Sequence, residues 1–210
     1  AMQADAFEVS NAGYERCVAA GACPPRDFEG CSFYSPARGR ELREPVPGSM
    51  QADNLPAVCV TFDEAAAHCA WRQMRLPSAD EWERIARSGD DRLQPWGEFV
   101  LPGLMNWGER ILKDFPIPGR VDGEELTARI DEYAGGATDE GVRNMLGNAA
   151  EWVEGTLGEF PQPDRTWAVG GSFLSRSRPL HAPGPESPGG VAFCARSVDP
   201  AHRGRDLGLR

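Results

Sequence analysis

The chain has 210 residues, with 24 glycines, 18 prolines and a formal net charge of −10 at pH 7. So many helix-breaking residues exclude a helical bundle or coiled coil, and a hydrophobic content of 40% with six tryptophans excludes an intrinsically disordered chain. The acidic balance argues against nucleic-acid binding. These properties predict one globular domain with short elements and many ordered loops.

The cysteines favour an oxidising compartment. Six are present: Cys17, Cys23, Cys31, Cys59, Cys69 and Cys194. Their even number and the lack of a CxxC pair favour disulfides over a zinc site or free cytosolic thiols. No apolar run reaches the ~20 residues of a membrane span, and no signal peptide opens the chain. We interpret residues 1–5 as a tag remnant and linker, which places any signal or anchor outside this sequence.

The N-terminal part combines one helix with a long loop. A helix is predicted over residues 12–20, between capping residues and Gly21. Residues 23–56 are rich in Pro, Gly and Arg and predict an ordered loop. The apolar run at 57–60 predicts a short buried strand.

Two capping boxes give the clearest local signals. Thr61 followed by Glu64 predicts a helix that runs to about residue 73, because the hydroxyl and the carboxylate satisfy each other's free backbone N–H groups. Ser78 followed by Glu81 predicts a second helix in the same way.

The second half of the chain is less regular. Residues 94–97 predict a turn around a buried Trp96, and residues 167–169 and 191–194 predict core strands. The intervening residues 172–190 are polar, basic and rich in proline, which is typical of an exposed loop.

Six sequence blocks resemble the formylglycine-generating (sulfatase-modifying factor) family. In chain order they are FDEAAAHCAW at 62–71, RLPSADEWE at 75–83, QPWG at 94–97, NMLGNAAEW at 144–152, VGGSF at 169–173 and FCAR at 193–196. The resemblance implies a single α+β domain over residues 6–200, a loop-rich variant of the C-type lectin fold with little regular structure. It leaves residues 201–210 as a C-terminal tail. Members include copper-dependent oxidases of sulfatase cysteines, parts of bacterial signalling proteins and ligand-binding proteins.

The sequence departs from the oxidases after Gly171. In those enzymes two cysteines five residues apart bind copper and perform the chemistry, and here the matching positions are Ser175 and Leu180. A hydroxyl and an alkyl group cannot act as thiolate ligands of Cu(I). Copper and formylglycine-generating activity by this route are therefore not expected.

The resemblance also implies structural calcium. One set of ligands matches Asn144, Gly147, Ala149 and Glu151, and a second set, which aligns more loosely, matches Asn106, Trp107, Asp122 and Glu124. Carboxylate, amide and carbonyl oxygens suit this cation. The spacing alone is equally typical of a capped turn.

The same resemblance implies a disulfide between Cys69 and Cys194. The other four cysteines would then form two more disulfides of open pairing. These bridges predict an extracytoplasmic location, either periplasmic, surface or secreted.

Two classes of function remain. The first is a non-catalytic recognition or sensory module that binds a protein or a small acidic ligand through an aromatic and basic loop. The candidate residues are Trp167, Phe173, Ser175, Arg176, Arg178 and His181. The alternative is an oxidoreductase of the same family, or of the nonheme-metal class, with an altered site. An iron centre of two histidines and a carboxylate is disfavoured, because only His181 lies in this loop, away from His68 and His202.

Overall fold

The computed structural model describes residues 3–35, 40–43, 45–98, 103–107, 122–155, 165–175 and 195–210. The α-helices are α1 (Asn11–Ala19), α2 (Phe62–Trp71) and α3 (Ala79–Ala86), and short 3-10 helices span Gly48–Gln51 and Ala134–Gly136. Among the described residues no helix is long and apolar enough to cross a bilayer.

The strands form two small sheets. They are β1 (Ser32–Ser35), β2 (Arg40–Arg43), β3 (Ala150–Val153), β4 (Thr166–Val169), β5 (Arg196–Val198) and β6 (Leu207–Gly208). The first two form an antiparallel hairpin, and the other four form a sheet of order β5-β4-β3-β6, in which only the β3–β6 pair is parallel. Short helices, small sheets and long connections make this a loop-rich α+β fold, as predicted.

Side-chain caps explain where the helices begin. Ser10 caps α1 by accepting from the Gly13 N–H, and both predicted capping boxes are formed at Thr61 and Ser78. The bounds differ from the prediction by one or two residues, since α1 begins at Asn11 and α2 ends at Trp71. Helix ends are therefore set here by local hydrogen bonding.

Strand β3 divides the core because all four of its side chains are buried. Trp152 packs in a cluster with Cys69 and Leu76, whereas Val153 packs in a second cluster with Trp82. Alternate side chains of a strand point to opposite faces, so the sheet is covered on both sides.

The predicted strand at residues 57–60 is wrong, although its residues are buried. Cys59 has φ of +65°, which no regular strand accommodates. The segment instead makes single backbone bonds to distant loops, from Ala57 N to Val9 O at 2.8 Å and from Cys59 N to Gly204 O at 3.0 Å.

Two further expectations are corrected. Residues 201–210 are not a tail, because β6 pairs with β3 and Leu207, Leu209 and Arg210 are buried. Trp96 is half-buried in its turn rather than fully buried, since its ring packs only partly against the second core cluster. The predicted strand at 191–194 lies outside the described residues.

The disulfides join Cys17 to Cys23 and Cys31 to Cys59, which confirms two bridges among these four cysteines and resolves their pairing. Cys69 is a free, buried thiol whose Sγ lies 3.7 Å from the Arg210 carbonyl oxygen. The expected disulfide from Cys69 is therefore not formed in this structure, where the thiol packs against the last residue. Its expected partner, Cys194, lies outside the described residues.

Candidate functional site

The turn after β4 is built on two glycines. Gly170 and Gly171 have φ of +87° and +69°, and a Cβ on Gly171 would lie 2.8 Å from the Trp107 ring. The Ser172 N–H then donates to Ser175 Oγ at 2.8 Å, and the Ser175 N–H donates to the Ser172 carbonyl at 2.8 Å. The Ser175 hydroxyl is therefore held against the backbone of its own turn.

A buried acid fixes this turn to the sheet. Ser172 Oγ donates to Asp206 Oδ2 at 2.9 Å, and Arg196 Nη1 lies 3.0 Å from the same oxygen. Burial by itself raises the pKa of Asp206, but Arg196 and the Ser172 hydroxyl outweigh it and hold the pKa below its ordinary value. Asp206 is thus ionised and ties the turn to β5 and to the start of β6.

The candidate ligand-binding residues differ in exposure. Trp167 and Ser175 are half-buried, at the edge of the described region. Phe173 is buried and packs in the cluster that contains the Cys31–Cys59 disulfide, so it offers no apolar surface to a ligand, contrary to expectation. Three candidates lie outside the described residues: Arg176, Arg178 and His181.

Glu151 lies at the centre of the sheet and is fully buried. Trp82 Nε1 donates to its Oε2 at 2.7 Å, and Arg210 Nη2 donates to its Oε1 at 2.7 Å. The Arg210 side chain is itself only 3% exposed. A buried carboxylate needs a compensating charge, and here a guanidinium supplies it.

A second buried acid, Glu8, lies beside this pair. Its Oε2 accepts from Asn144 Nδ2 at 2.9 Å and from Asn148 Nδ2 at 2.8 Å, and its Oε1 accepts from the Ala149 N–H at 3.1 Å. Burial and the neighbouring Glu151 raise the pKa of Glu8 to about 8. A protonated acid with neutral hydrogen-bond donors thus lies beside the Glu151–Arg210 ion pair at neutral pH.

The first calcium set is only partly suited to a cation. Asn144 Oδ1 is buried without a hydrogen-bond partner, so this oxygen is available to coordinate a cation. Both carboxylate oxygens of Glu151, however, already accept from Arg210 and Trp82. A calcium ion bound here would compete with the Arg210 guanidinium.

The second calcium set fits better. The N–H groups of Trp107 and Glu124 donate to the two carboxylate oxygens of Asp122, at 2.9 and 3.1 Å, which brings these residues together. Asn106 Nδ2 donates to the Leu126 carbonyl at 2.7 Å, but its buried Oδ1 has no partner. Within the described ranges no three His, Cys, Asp or Glu side chains gather as a metal centre, so amide and carbonyl oxygens would supply most ligands.

Sequence reasoning missed three residues of these sites: Glu8, Asp206 and Arg210. Apart from Arg196, the partners named above lie 34 to 141 residues away along the chain, so local sequence spacing does not reveal them. The alternation of Leu207, Gly208 and Leu209 could have indicated β6, and with it the buried position of Arg210.

The chain is similar to known proteins in both sequence and fold. The sulfatase-modifying factor enzyme 1-like domain matches residues 2–210. The formylglycine-generating enzyme of Mus musculus is 30% identical over 178 residues, which are 71% of this chain and 47% of that protein. The inactive C-alpha-formylglycine-generating enzyme 2 of Bos taurus is 34% identical over 143 residues, 65% of this chain and 45% of that protein. The chain thus spans about half the length of these curated relatives.

The fold has solved counterparts. PvdO from Pseudomonas aeruginosa superposes with a TM-score of 0.60 and 20% sequence identity, over 97% of this chain and 77% of that one. At this identity the likeness shows the fold alone, whereas the domain match covers nearly every residue. The chain therefore belongs to the sulfatase-modifying factor family.

Proposed function

We propose that this chain is a non-catalytic recognition or sensory module on a disulfide-bonded, calcium-stabilised scaffold. The observation that carries the proposal is the hydroxyl at Ser175, which stands where the copper-dependent members of the family have the first of two cysteines. The Oγ accepts from the N–H of Ser172 within its own turn. At the second cysteine position the sequence has Leu180.

The loss of both sulfurs removes the known chemistry. Cu(I) prefers thiolates, and exchange with a substrate cysteine also requires a thiolate. Cys69, the free thiol of the described region, cannot replace them, because burial above all raises its pKa to about 11. It is protonated at neutral pH and is packed inside the first core cluster.

A relative supports a role without catalysis. The bovine protein that is 34% identical over 143 residues is named as inactive. The present chain forms the contacts that support its scaffold, from the capping boxes to the ionised Asp206 beneath the turn. A family fold that keeps its supports without its reactive sulfurs suits the presentation of a binding surface.

The ligand chemistry follows from charge. The sequence after Ser175 carries Arg176, Arg178 and His181 on a protein of net charge −10. With the half-buried Trp167 at the described edge, this region suits an acidic group on a protein or on a small molecule. The two disulfides support an extracytoplasmic location for such a module.

The catalytic test uses copper-loaded protein, oxygen and a sulfatase-type cysteine peptide, with mass spectrometry to detect formylglycine. We expect no conversion. Conversion that is lost in Ser175→Ala would establish the alternative, an oxidoreductase with an altered site. Conversion that persists in Ser175→Ala would also overturn the proposal and place the chemistry elsewhere.

A gain-of-sulfur variant serves as the matched comparison. Ser175→Cys with Leu180→Cys restores both thiols, and we expect it to bind Cu(I) at least tenfold more tightly than the wild type.

The proposed ligand loop is tested separately. Arg176→Gln and Arg178→Gln are compared with the wild type for capture of acidic peptides at low and high salt. They should weaken capture and leave the melting temperature unchanged.

Calcium is tested by thermal unfolding with and without chelator. A ligand at a hundred times its Kd stabilises the folded state by about 2.7 kcal/mol, so chelator should lower the melting temperature. We expect Asp122→Asn to remove this response, while Asp131→Asn, an exposed acid paired with Arg129, should keep it. A response that is lost in Glu151→Gln instead would assign the ion to the first set. An unchanged melting curve in chelator would exclude both sets.

A further inference from the structure

A surface cleft of about 430 Å³ lies between the N-terminal segment, α1 and the end of α2. It is lined entirely by described residues and is separate from the turn at Ser175. Its volume falls within the range of small-molecule pockets. The cleft is therefore a candidate second site, independent of the proposed ligand loop.

Two aromatic side chains line this cleft. Phe7 and Trp71 are 37% and 38% exposed, and they are the large hydrophobic residues with the greatest exposure in the described part of the chain. The Arg143 guanidinium lies 5.6 Å from the centre of the Phe7 ring. Val9 and Ile130 add apolar lining. Two exposed aromatic groups in one small cleft form a contact surface for a flat apolar ligand.

The cations at the cleft differ in their partners. Arg72 forms a two-point ion pair with Asp5, so its charge is already neutralised. Arg16 is exposed in the last turn of α1, and it forms no ion pair within the described ranges. Of the two arginines that line the cleft, Arg16 is therefore the one whose charge is available to an anion, on a protein of net charge −10.

A buried histidine supplies a further ring. His68 is 2% exposed and lines the cleft, stacked on Tyr14 at 5.8 Å between ring centres and 5.7 Å from Trp71. Its Nδ1 has no hydrogen-bond partner. Because this nitrogen is closed to solvent, the imidazole contributes to the cleft chiefly as a third ring beside Trp71.

We propose that this cleft binds an aromatic carboxylate, with the ring against Phe7 and Trp71 and the carboxylate on Arg16. A guanidinium binds a carboxylate through two hydrogen bonds, and the rings accept an aromatic face or edge. A sugar acid would carry the same charge, but it has no aromatic ring to pack against Phe7 and Trp71.

The test titrates the folded protein with indole-3-acetate by calorimetry. We expect saturable binding, at least tenfold weaker for the uncharged indole-3-acetamide, because a charge-assisted hydrogen bond is lost. Arg16→Gln should weaken indole-3-acetate binding about tenfold and remove the preference for the acid over the amide. Arg84→Gln, also an exposed arginine in the last turn of a helix, should bind like the wild type.

Trp71→Ala separates the aromatic contribution from the charge. It should weaken both indole ligands by a similar factor and keep the preference for the acid. Indole-3-acetate binding that is unchanged in both Arg16→Gln and Trp71→Ala would overturn the proposal. So would absence of binding at millimolar ligand, or tighter binding of glucuronate than of indole-3-acetate.

Discussion

Two regions of this protein hold irregular backbone in place by different means. The described residues between positions 17 and 59 form few regular elements, and two disulfides fasten them, one of which joins Cys31 to Cys59. The residues around β3 are fastened by buried charges, above all by the Glu151–Arg210 pair, at 1% and 3% side-chain exposure. The first region uses covalent bonds that depend on redox conditions, and the second uses ion pairs whose value depends on exclusion of water.

This difference predicts that the two regions respond differently to substitutions. A disulfide acts largely on the unfolded chain, so its loss leaves the native contacts intact. A buried ion pair acts on the folded state, and removal of one partner leaves the other charge buried without compensation in a medium of low polarity. We therefore expect the region around β3 to be the more sensitive to single substitutions.

The largest effect is expected from Arg210→Leu. It leaves the Glu151 carboxylate buried without its guanidinium, which should cost about 3–5 kcal/mol of unfolding free energy, measured by urea denaturation. Adding Glu151→Leu should recover part of this loss, since the unpaired charge is removed as well. A double variant no more stable than Arg210→Leu would contradict this account of the pair.

The disulfides should come next, ordered by loop length. Cys31→Ser with Cys59→Ser opens a loop of 28 residues and should cost about 3–4 kcal/mol, by the chain-entropy estimate. Cys17→Ser with Cys23→Ser opens a loop of 6 residues and should cost about 2 kcal/mol. Thermal and urea unfolding under oxidising conditions measure both, and a reversed order would show that native contacts matter more than loop closure.

A smaller effect is expected at the helix caps, which belong to neither region. Ser78→Ala removes the acceptor for the Glu81 N–H at the start of α3 and should cost about 1 kcal/mol. Thr61→Ala at α2 should cost a similar amount. Asp80→Ala, in the first turn of α3 but outside the capping box, is the control for unfolding experiments and should cost less than either cap.

The smallest effect concerns pH at an exposed pair. The Arg75 side chain above all, with the Ser78 N–H, lowers the pKa of Glu81 from 4.5 to about 2. Because this pKa is lower in the folded state, the ionised form stabilises folding above pH 4.5, and that contribution is lost as the pH falls from about 4.5 to about 2. Glu81→Gln should therefore slightly reduce the pH dependence of the free energy of unfolding in this window. Identical pH profiles would contradict the prediction.

Local signals in the sequence predicted local structure well. Both capping boxes are formed as predicted, and β4 lies where the apolar run at 167–169 placed it. A capping box depends on residues three positions apart, and a short buried strand is indicated by a run of apolar residues, so both are visible in the local sequence. The even cysteine count likewise predicted disulfides, although it left their pairing open.

The same reasoning failed where distant contacts override local preference. Residues 57–60 are predicted as a strand, but Cys59 has positive φ and its N–H donates to the distant Gly204 carbonyl. Phe173 is predicted to lie in an exposed loop, yet after the turn at Gly170 and Gly171 its side chain packs in the core.

The sequence by itself determined the family, the helix starts and the absence of sulfur at positions 175 and 180. Only the tertiary structure decided which buried polar groups meet, because Glu8 contacts Asn148 across 140 residues of chain and Glu151 contacts Arg210 across 59. A buried charge must find a partner wherever the fold can bring one, and that choice depends on chain path rather than on spacing along the sequence. For the same reason the cleft at Phe7 and Trp71 is visible only once α1 and α2 are packed together.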